Sequence, residues 1–413
     1  MLQPSRLHLF QAYGIELEYM IVDCDSLQVR PITDELIKHV LGSYGSDYEN
    51  GMVTWSNELV LHVVELKSTK PEHNFSALEN QFAENIRLIN AILSGWNAML
   101  MPAAAHPFMD PLTETKLWPH DNNDVYAVYN KIFDCRGHGW SNLQSTHLNL
   151  PFYDDEEFSK LHAAIRLILP ILPALCASSP ILDENYSGSM DTRLLYYKSN
   201  QARLPSITGK VIPEAVFSRR TYYNSIYEKI KSEVSPYDAA QILDPIWVNS
   251  RGAIPRFDRG SIEIRVMDIQ ECPAADLAIT ALVIETLKAL VNEKFISHDA
   301  QIKWRTEPLA AILDNTTEKA DMTYISDAAY LDVFGIREAV TANKLWAHIV
   351  NTLSPASEPL QKWKPELDVI LGQGTLARRI VKAVGEVPER ERINTVYRKL
   401  ASCLAQNKLF IPS

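Results

Sequence analysis

Residues 14–19 read Gly14-Ile15-Glu16-Leu17-Glu18-Tyr19, two carboxylates with a single leucine between them. In an extended strand successive side chains point to opposite faces, so Glu16 and Glu18 share one face while Ile15, Leu17 and Tyr19 share the other. Two like charges on one face repel, and a cation between them or a shifted pKa on one relieves the cost. Taken alone, the stretch reads equally well as a half-buried edge strand with a solvated acidic face. The rest of the chain must decide.

The pattern returns three times. Residues 54–69 (TWSNELVLHVVELKST) carry Glu58 and Glu65, residues 145–150 (STHLNL) carry His147 and Asn149, and Ser261–Asp268 (SIEIRVMD) carries Glu263 and Arg265. The last two alternate polar and apolar residues, as half-buried strands do. Four faces that each offer acids or an imidazole to a common side predict a sheet lining a site for divalent cations. Five carboxylates cannot crowd one cleft unpaired, because an uncompensated buried charge costs several kcal/mol. Mg²⁺ or Mn²⁺ bridged to a polyphosphate resolves that difficulty. Each residue also has a plainer reading: Glu58 and Glu65 as solvated acids, His147 as a hydrogen-bonded structural histidine, and Glu263 with Arg265 as part of an ion-pair network with Arg251, Arg256 and Arg259. Glu58 and Glu65 are seven residues apart, an odd separation that puts them on opposite faces of a regular strand. The apolar phase changes between Leu59/Leu61 and Val64/Leu66, so a β-bulge at residues 62–64 is expected to restore both acids to one face.

Outward from these strands, residue 76 to residue 93 predicts a helix, with Leu78, Phe82, Ile86, Ile89 and Leu93 at helical spacing and Ser76 and Glu79 in a capping-box pattern. Residues 98–105 are short and apolar and end in the turn-like His106-Pro107. Residues 156–176 read as a long helix bent where Pro170 and Pro173 remove backbone donors. Residues 183–213 are polar and hold Arg193, Lys198, Arg203 and Lys210, which suggests a mobile cover over a site. From Asp276 onward the pattern is almost wholly helical. There is no internal repeat and no low-complexity linker.

The 413 residues are 46% apolar and 22% charged, an ordinary globular composition, and the formal net charge of -11 argues against nucleic-acid or anionic-membrane binding. The longest apolar run, residues 167–177, is too short to span a bilayer. The first residues lack a secretion-signal pattern. The five cysteines are scattered without a CxxC pair, as expected of free thiols in a cytoplasmic protein, and Cys176 and Cys272 sit in apolar stretches as inert core residues.

GIELEY, NELVLHVVEL, AAAHPF, STHLNL and SIEIRVMD, in this order, resemble the motif series of carboxylate-amine ligases of the second glutamate-cysteine ligase family. The likeness runs from about residue 14 to about residue 268 and more weakly beyond. It implies an α+β, glutamine-synthetase-like fold: an antiparallel sheet forming a curved active-site funnel, with helices outside and a helical C-terminal part. A catalytic domain over residues 1–295 and a helical extension over 296–413 packed on it, or one domain overall, would follow.

The resemblance implies two metal clusters, Glu18 with Glu58 and Glu65, and Glu16 with His147 and Glu263, the latter gripping nucleotide phosphates. It places Arg265 and Arg259 in catalysis, with Arg265 facing the transferred phosphoryl group, and Arg193, Lys198, Arg203 and Arg256 on ATP. The family's HxHxG becomes His147-Leu148-Asn149-Leu150-Pro151, which keeps the first imidazole and loses the second and the glycine. The implied reaction uses ATP to convert the carboxylate of glutamate or a similar amino acid into an acyl phosphate, which an amine such as cysteine, another amino acid or a small amine then attacks. Guanidino-kinase-type phosphoryl transfer and a non-catalytic, nucleotide-binding regulatory role are the competing readings. The expected partners are small molecules, with no nucleic acid and no membrane, and a homo-oligomer is left open.

Overall fold

A computed structural model describes residues 6–121 and 123–412. Its centre is an eight-stranded, wholly antiparallel sheet in the order β2 (Asp47–Asn50), β3 (Val53–Asn57), β4 (Val63–Ser68), β1 (Gly14–Asp23), β6 (Ser145–Pro151), β10 (Ser261–Asp268) and β9 (Ala253–Arg256), with β5 (Ala98–Met101) paired to the far end of β1. A separate two-stranded hairpin joins β7 (Ile181–Leu182) and β8 (Asn185–Tyr186). Alternation decides the two faces of the main sheet. Ile15, Leu17, Tyr19, Leu66, Leu148, Leu150, Ile262 and Ile264 are all fully buried on one face. Each buried aliphatic side chain of this kind contributes roughly 1.5–3 kcal/mol.

Helices cover that apolar face. Phe75–Ser94 presents Leu78, Phe82, Ile86, Ile89 and Leu93, each at the predicted spacing and each buried. Its cap is not the expected capping box: the Asn74 side chain accepts from the Ala77 N–H at 3.1 Å, while Glu79 accepts from Asn407 at 2.8 Å. Pro273–Val291 is apolar on nearly every side and runs through the middle of the core, as an all-round hydrophobic helix must. The 156–176 helix is broken rather than bent. Asp155–Ile168 ends in a 3₁₀ turn at Leu169–Ile171, and a short helix resumes at Pro173–Cys176, because Pro170 and Pro173 cannot donate to the preceding turn. One continuous apolar cluster extends from Tyr13 to Leu404. No helix among the described residues is long and apolar enough to cross a membrane. All five cysteines are unpaired.

Two strand expectations need correction. Residues 54–69 are not one bulged strand but a hairpin: β3 and β4 pair with Ser56 opposite Glu65 and Asn57 opposite Val64, and residues 58–62 form the connection. The change of apolar phase marks a chain reversal. Leu61 packs with Ile37 and Trp118 in a small separate cluster, and Val60 and Val63 join a second core, so the loop's apolar residues answer to neighbours other than the sheet. The register shift lies instead in β10, between Ile264 and Met267, where three steps of β10 face two of β6. That bulge falls at Arg265 and Val266, beside the acidic face.

Candidate active site

Register brings the polar face together. Glu16 lies opposite His147, Glu18 opposite Glu65, and Glu263 opposite Asn149. The His147 imidazole sits at the centre, with Nδ1 2.9 Å from Glu16 and 3.9 Å from Glu263. Its Nε2 faces Ser145 Oγ at 2.8 Å and Glu18 at 3.8 Å. Two groups of possible ligand atoms result, Glu16/His147/Glu263 and Glu18/Glu65/His147, each with all atoms within 4.8 Å of one another. The first has the membership that the resemblance implied. In the second, His147 stands where Glu58 was expected, so the two groups share one imidazole, which when neutral offers a lone pair to one of them at a time.

Glu58 lies in the β3–β4 connection and lines an adjoining cavity together with Glu18. Asn149 donates to Glu16 at 2.9 Å, which gives the residue in the altered motif a definite task. Lys67, two residues beyond Glu65, reaches Glu65 at 3.3 Å and Asp47 at 3.1 Å. Arg265 Nε lies 2.9 Å from Glu263.

The electrostatics express the crowding. Burial would push Glu16 up, but the His147 hydrogen bond and the charges of His147, Arg265 and Lys67 outweigh it and bring the carboxyl down to about 2. Burial pulls His147 down, yet the hydrogen bond to Glu16 and the Glu18 charge raise it overall. Burial and the Glu18 charge push Glu58 up to about 7. Burial, Glu16 and Glu58 hold Glu65 well above the carboxylate range despite Lys67. The face therefore has more acid than its own cations neutralise. Several hard oxygen donors and one imidazole fit Mg²⁺ or Mn²⁺, and a divalent cation would let Glu65 ionise.

Beside the acids is a cavity of about 210 Å³, lined by Tyr129, Trp140, Arg193, Tyr197, Asn200, Trp247 and Arg265 among others. Trp140 Nε1, Arg193 Nη1, Tyr197 Oη and Asn200 Oδ1 on this wall are buried with no hydrogen-bond partner among the described residues. Orphaned buried polar atoms are costly unless a ligand or water satisfies them. A second cavity of about 320 Å³ shares Trp247 and Arg265 and adds Tyr126, Arg256, Arg259 and Glu263. Sequence reasoning missed Lys67, Trp140, Tyr197 and Asn200. The only local sign for the last two was Asp191, which caps the short Thr192–Tyr197 helix that carries Arg193 and Tyr197.

The other basic candidates divide. Arg256 and Arg259 line the second cavity, Arg259 with a largely exposed side chain near Asp258. Lys198 is turned away to an ion pair with Asp314. Arg203 donates to the Ile132 carbonyl at 2.8 Å and lies over the Tyr237 ring. The buried Arg251 guanidinium pairs bidentately with the half-exposed Glu214. Residues 183–213 are a built wall and not a loose cover: Asp191, Leu194, Ile207 and Ile212 are fully buried. His106 is structural, with Nε2 at 2.7 Å from the Leu27 carbonyl.

Comparison with known proteins places this geometry in context. The sequence model of glutamate-cysteine ligase family 2 matches residues 12–343. An uncharacterized protein of Archaeoglobus fulgidus is 32% identical over 401 residues, 96% of this chain and 100% of that protein. A Bradyrhizobium protein named "Putative glutamate--cysteine ligase 2" is 25% identical over 292 residues, covering 69% of this chain and 62% of the relative, so the match leaves over a third of that relative outside it. Among solved structures, the Francisella tularensis glutamate–cysteine ligase in complex with AMP superposes with a TM-score of 0.60 at 11% identity, covering 94% of this chain and 88% of that one. The bifunctional glutathione synthetase of Pasteurella multocida gives 0.60 at 12% identity, over 96% of this chain and 53% of that one. Both share the mixed helix and antiparallel-sheet fold.

Proposed function

The chain belongs to glutamate-cysteine ligase family 2, and from that membership and the site's geometry we propose that it is an ATP-dependent carboxylate–amine ligase. The observation that carries the reading is the juxtaposition of an acid face, short of cations, with a cavity whose wall offers unpartnered donors and an acceptor. Glu16, His147 and Glu263 would hold one divalent cation and Glu18 with Glu65 a second, Mg²⁺ or Mn²⁺, since a neutral imidazole offers a lone pair on one nitrogen only. When bound, such ions supply positive charge that neutralises transferring phosphoryl oxygens.

Arg265, at the bulge between the two cavities, stabilises charge on the phosphoryl group, and Arg256 and Arg259 meet the phosphates of ATP from the second cavity. Arg193 Nη1, Trp140 Nε1 and Tyr197 Oη are donors suited to a carboxylate of an amino-acid substrate, and Asn200 Oδ1 accepts from an ammonium group. The substrate carboxylate, that of glutamate or a similar amino acid, attacks the γ-phosphorus and releases ADP. The resulting acyl phosphate is attacked by an amine such as cysteine, and phosphate leaves. Glu58 belongs to neither ligand group and lines the cavity, which leaves its carboxylate free to take the proton that the amine loses.

Residues 1–295 then form the catalytic funnel with 296–413 packed on it, supported by the unbroken core from Tyr13 to Leu404. We read the enzyme as cytoplasmic and acting on small molecules. The test is ADP release across a matrix of amino acids and amines, with the product mass determined. ADP that appears only with acid and amine together, and a product lighter than their sum by one water, supports the ligase. A phosphorylated guanidine without condensation would replace it with a kinase. No turnover with any pair would leave a regulatory role.

A further inference from the structure

Behind the cavity, Asp191 and Asp268 meet in a sealed pocket. Both are fully buried, and Arg193 is 3% exposed. Asp191 Oδ1 accepts from the Leu194 N–H at 2.8 Å as the cap of the Thr192–Tyr197 helix, and its Oδ2, like Asp268 Oδ1, is buried with no hydrogen-bond partner among the described residues. Asp268 Oδ2 accepts from the Ser178 N–H at 2.8 Å and from Ser179 Oγ at 2.9 Å, and its Oδ1 lies 3.6 Å from Arg193 Nη1. Ser179 Oγ in turn accepts from the Arg193 N–H at 3.0 Å. Arg193 Nη2 donates to the carbonyl of Arg265 at 2.7 Å, while Nη1 is the orphaned donor of the cavity wall.

We propose that Asp191 and Asp268 form a carboxyl–carboxylate pair that acts as one counter-ion to Arg193, and thereby positions both Arg193 and the Arg265 backbone at the active site. The charge count requires it. Two carboxylates and one guanidinium are buried side by side, and the Cys176 thiol that also faces them keeps its own proton through burial. Two like charges in one fully buried pocket cannot both ionise at small cost, so the pair keeps one proton and one negative charge, which matches the single arginine. Burial and the Asp268 charge push Asp191 well up, consistent with the proton residing there. The consequence reaches function because Tyr197 and Asn200, which carry two more orphaned atoms, are on or just beyond the helix that Asp191 caps. The pair fixes where that wall stands relative to the β10 bulge.

The activity arm of the test rests on the ligase reading; the stability arm does not. In the full chain, Asp191→Asn keeps the cap, the shape and one carboxylate, and Asp268→Asn leaves Asp191 free to ionise in its place. Each single variant should keep kcat/KM within about threefold, since one negative charge remains beside Arg193. The double variant leaves the guanidinium without a counter-ion and should raise substrate KM by about a hundredfold or more, with a smaller change in kcat. Losses in the two single variants that simply multiply in the double variant would overturn the shared charge. Independently, folded wild type holds a proton that the unfolded chain releases above roughly pH 4, so its unfolding constant relative to Asp191→Asn should rise about tenfold per pH unit through the neutral range. A ratio that stays flat with pH overturns the pair even if the enzyme proves to have another activity. Wild type that makes no amide, with the pH-dependent ratio intact, removes the ligase reading and leaves the pair standing.

Discussion

Replacing Glu65 with glutamine separates two accounts of the acid face that otherwise look alike. Glu65 is buried on β4 opposite Glu18, 3.3 Å from Lys67, and burial with the charges of Glu16 and Glu58 holds its carboxyl well above the ordinary range. Its protonated form therefore persists to higher pH than that of an ordinary carboxyl, and glutamine is the neutral isostere of that form. The variant should unfold within about 1 kcal/mol of wild type. Cation binding demands the carboxylate, so an ion bound between Glu18 and Glu65 displaces the Glu65 proton, and affinity there should climb about tenfold per pH unit below the carboxyl's titration. A ligand at a hundred times its Kd stabilises by roughly 2.7 kcal/mol. For 413 residues at roughly 2.1 cal/mol/K each, the unfolding entropy is about 0.87 kcal/mol/K, so one filled site raises Tm by about 3 °C. Manganese titration followed by electron paramagnetic resonance should count two ions in wild type and one in Glu65→Gln, and thermal unfolding should lose the increment of the missing site together with its pH dependence. The reasoning is refuted if the metal-free variant is several kcal/mol less stable than wild type, for then Glu65 was ionised and paired with Lys67. It is refuted equally if stoichiometry and pH dependence are unchanged.

Glu16→Gln and Glu263→Gln should each abolish ADP release while circular dichroism and Tm stay near wild type, because each removes a ligand from the group centred on His147; normal ATP consumption by either variant would exclude it from the site. Three buried histidines should make the fold acid-sensitive. Burial pulls His62 and His106 down to about 4 and His162 down to about 3, so all three are neutral when folded and the unfolded chain binds the extra protons. Their contribution is present above about pH 6.5 and is lost as pH falls toward 4, at roughly 1.4 kcal/mol per pH unit for each histidine, and urea unfolding across that window should show the slope and His162→Phe should reduce it. Protease resistance of residues 183–213 should not depend on ATP, since this segment is core-packed; nicking that only nucleotide suppresses would restore a moving cover.

Alternation every second residue was enough to mark Glu16, Glu18, His147 and Glu263 as one face, since which side a strand residue takes is a local property of the extended backbone. The spacing of Leu78, Phe82, Ile86, Ile89 and Leu93 was equally local, and each is buried as expected. Family membership was legible because the motifs are short and ordered, and most of them lie on strands of the one sheet. What lay beyond the sequence was whatever depends on partners far along the chain. The phase change at residues 62–64 is compatible with a bulge or a reversal, and pairing of Ser56 with Glu65 decided for the reversal, while the true bulge in β10 shows only against β6. Arg193 and Lys198 look alike in a polar segment. Asp268, behind the cavity, anchors the first in its wall and Asp314 holds the second away from it, and neither acid is near in sequence. Trp140 and Asn200 could be recognised only by the absence of a partner for a buried polar atom, a quantity that exists once the tertiary structure has closed around it.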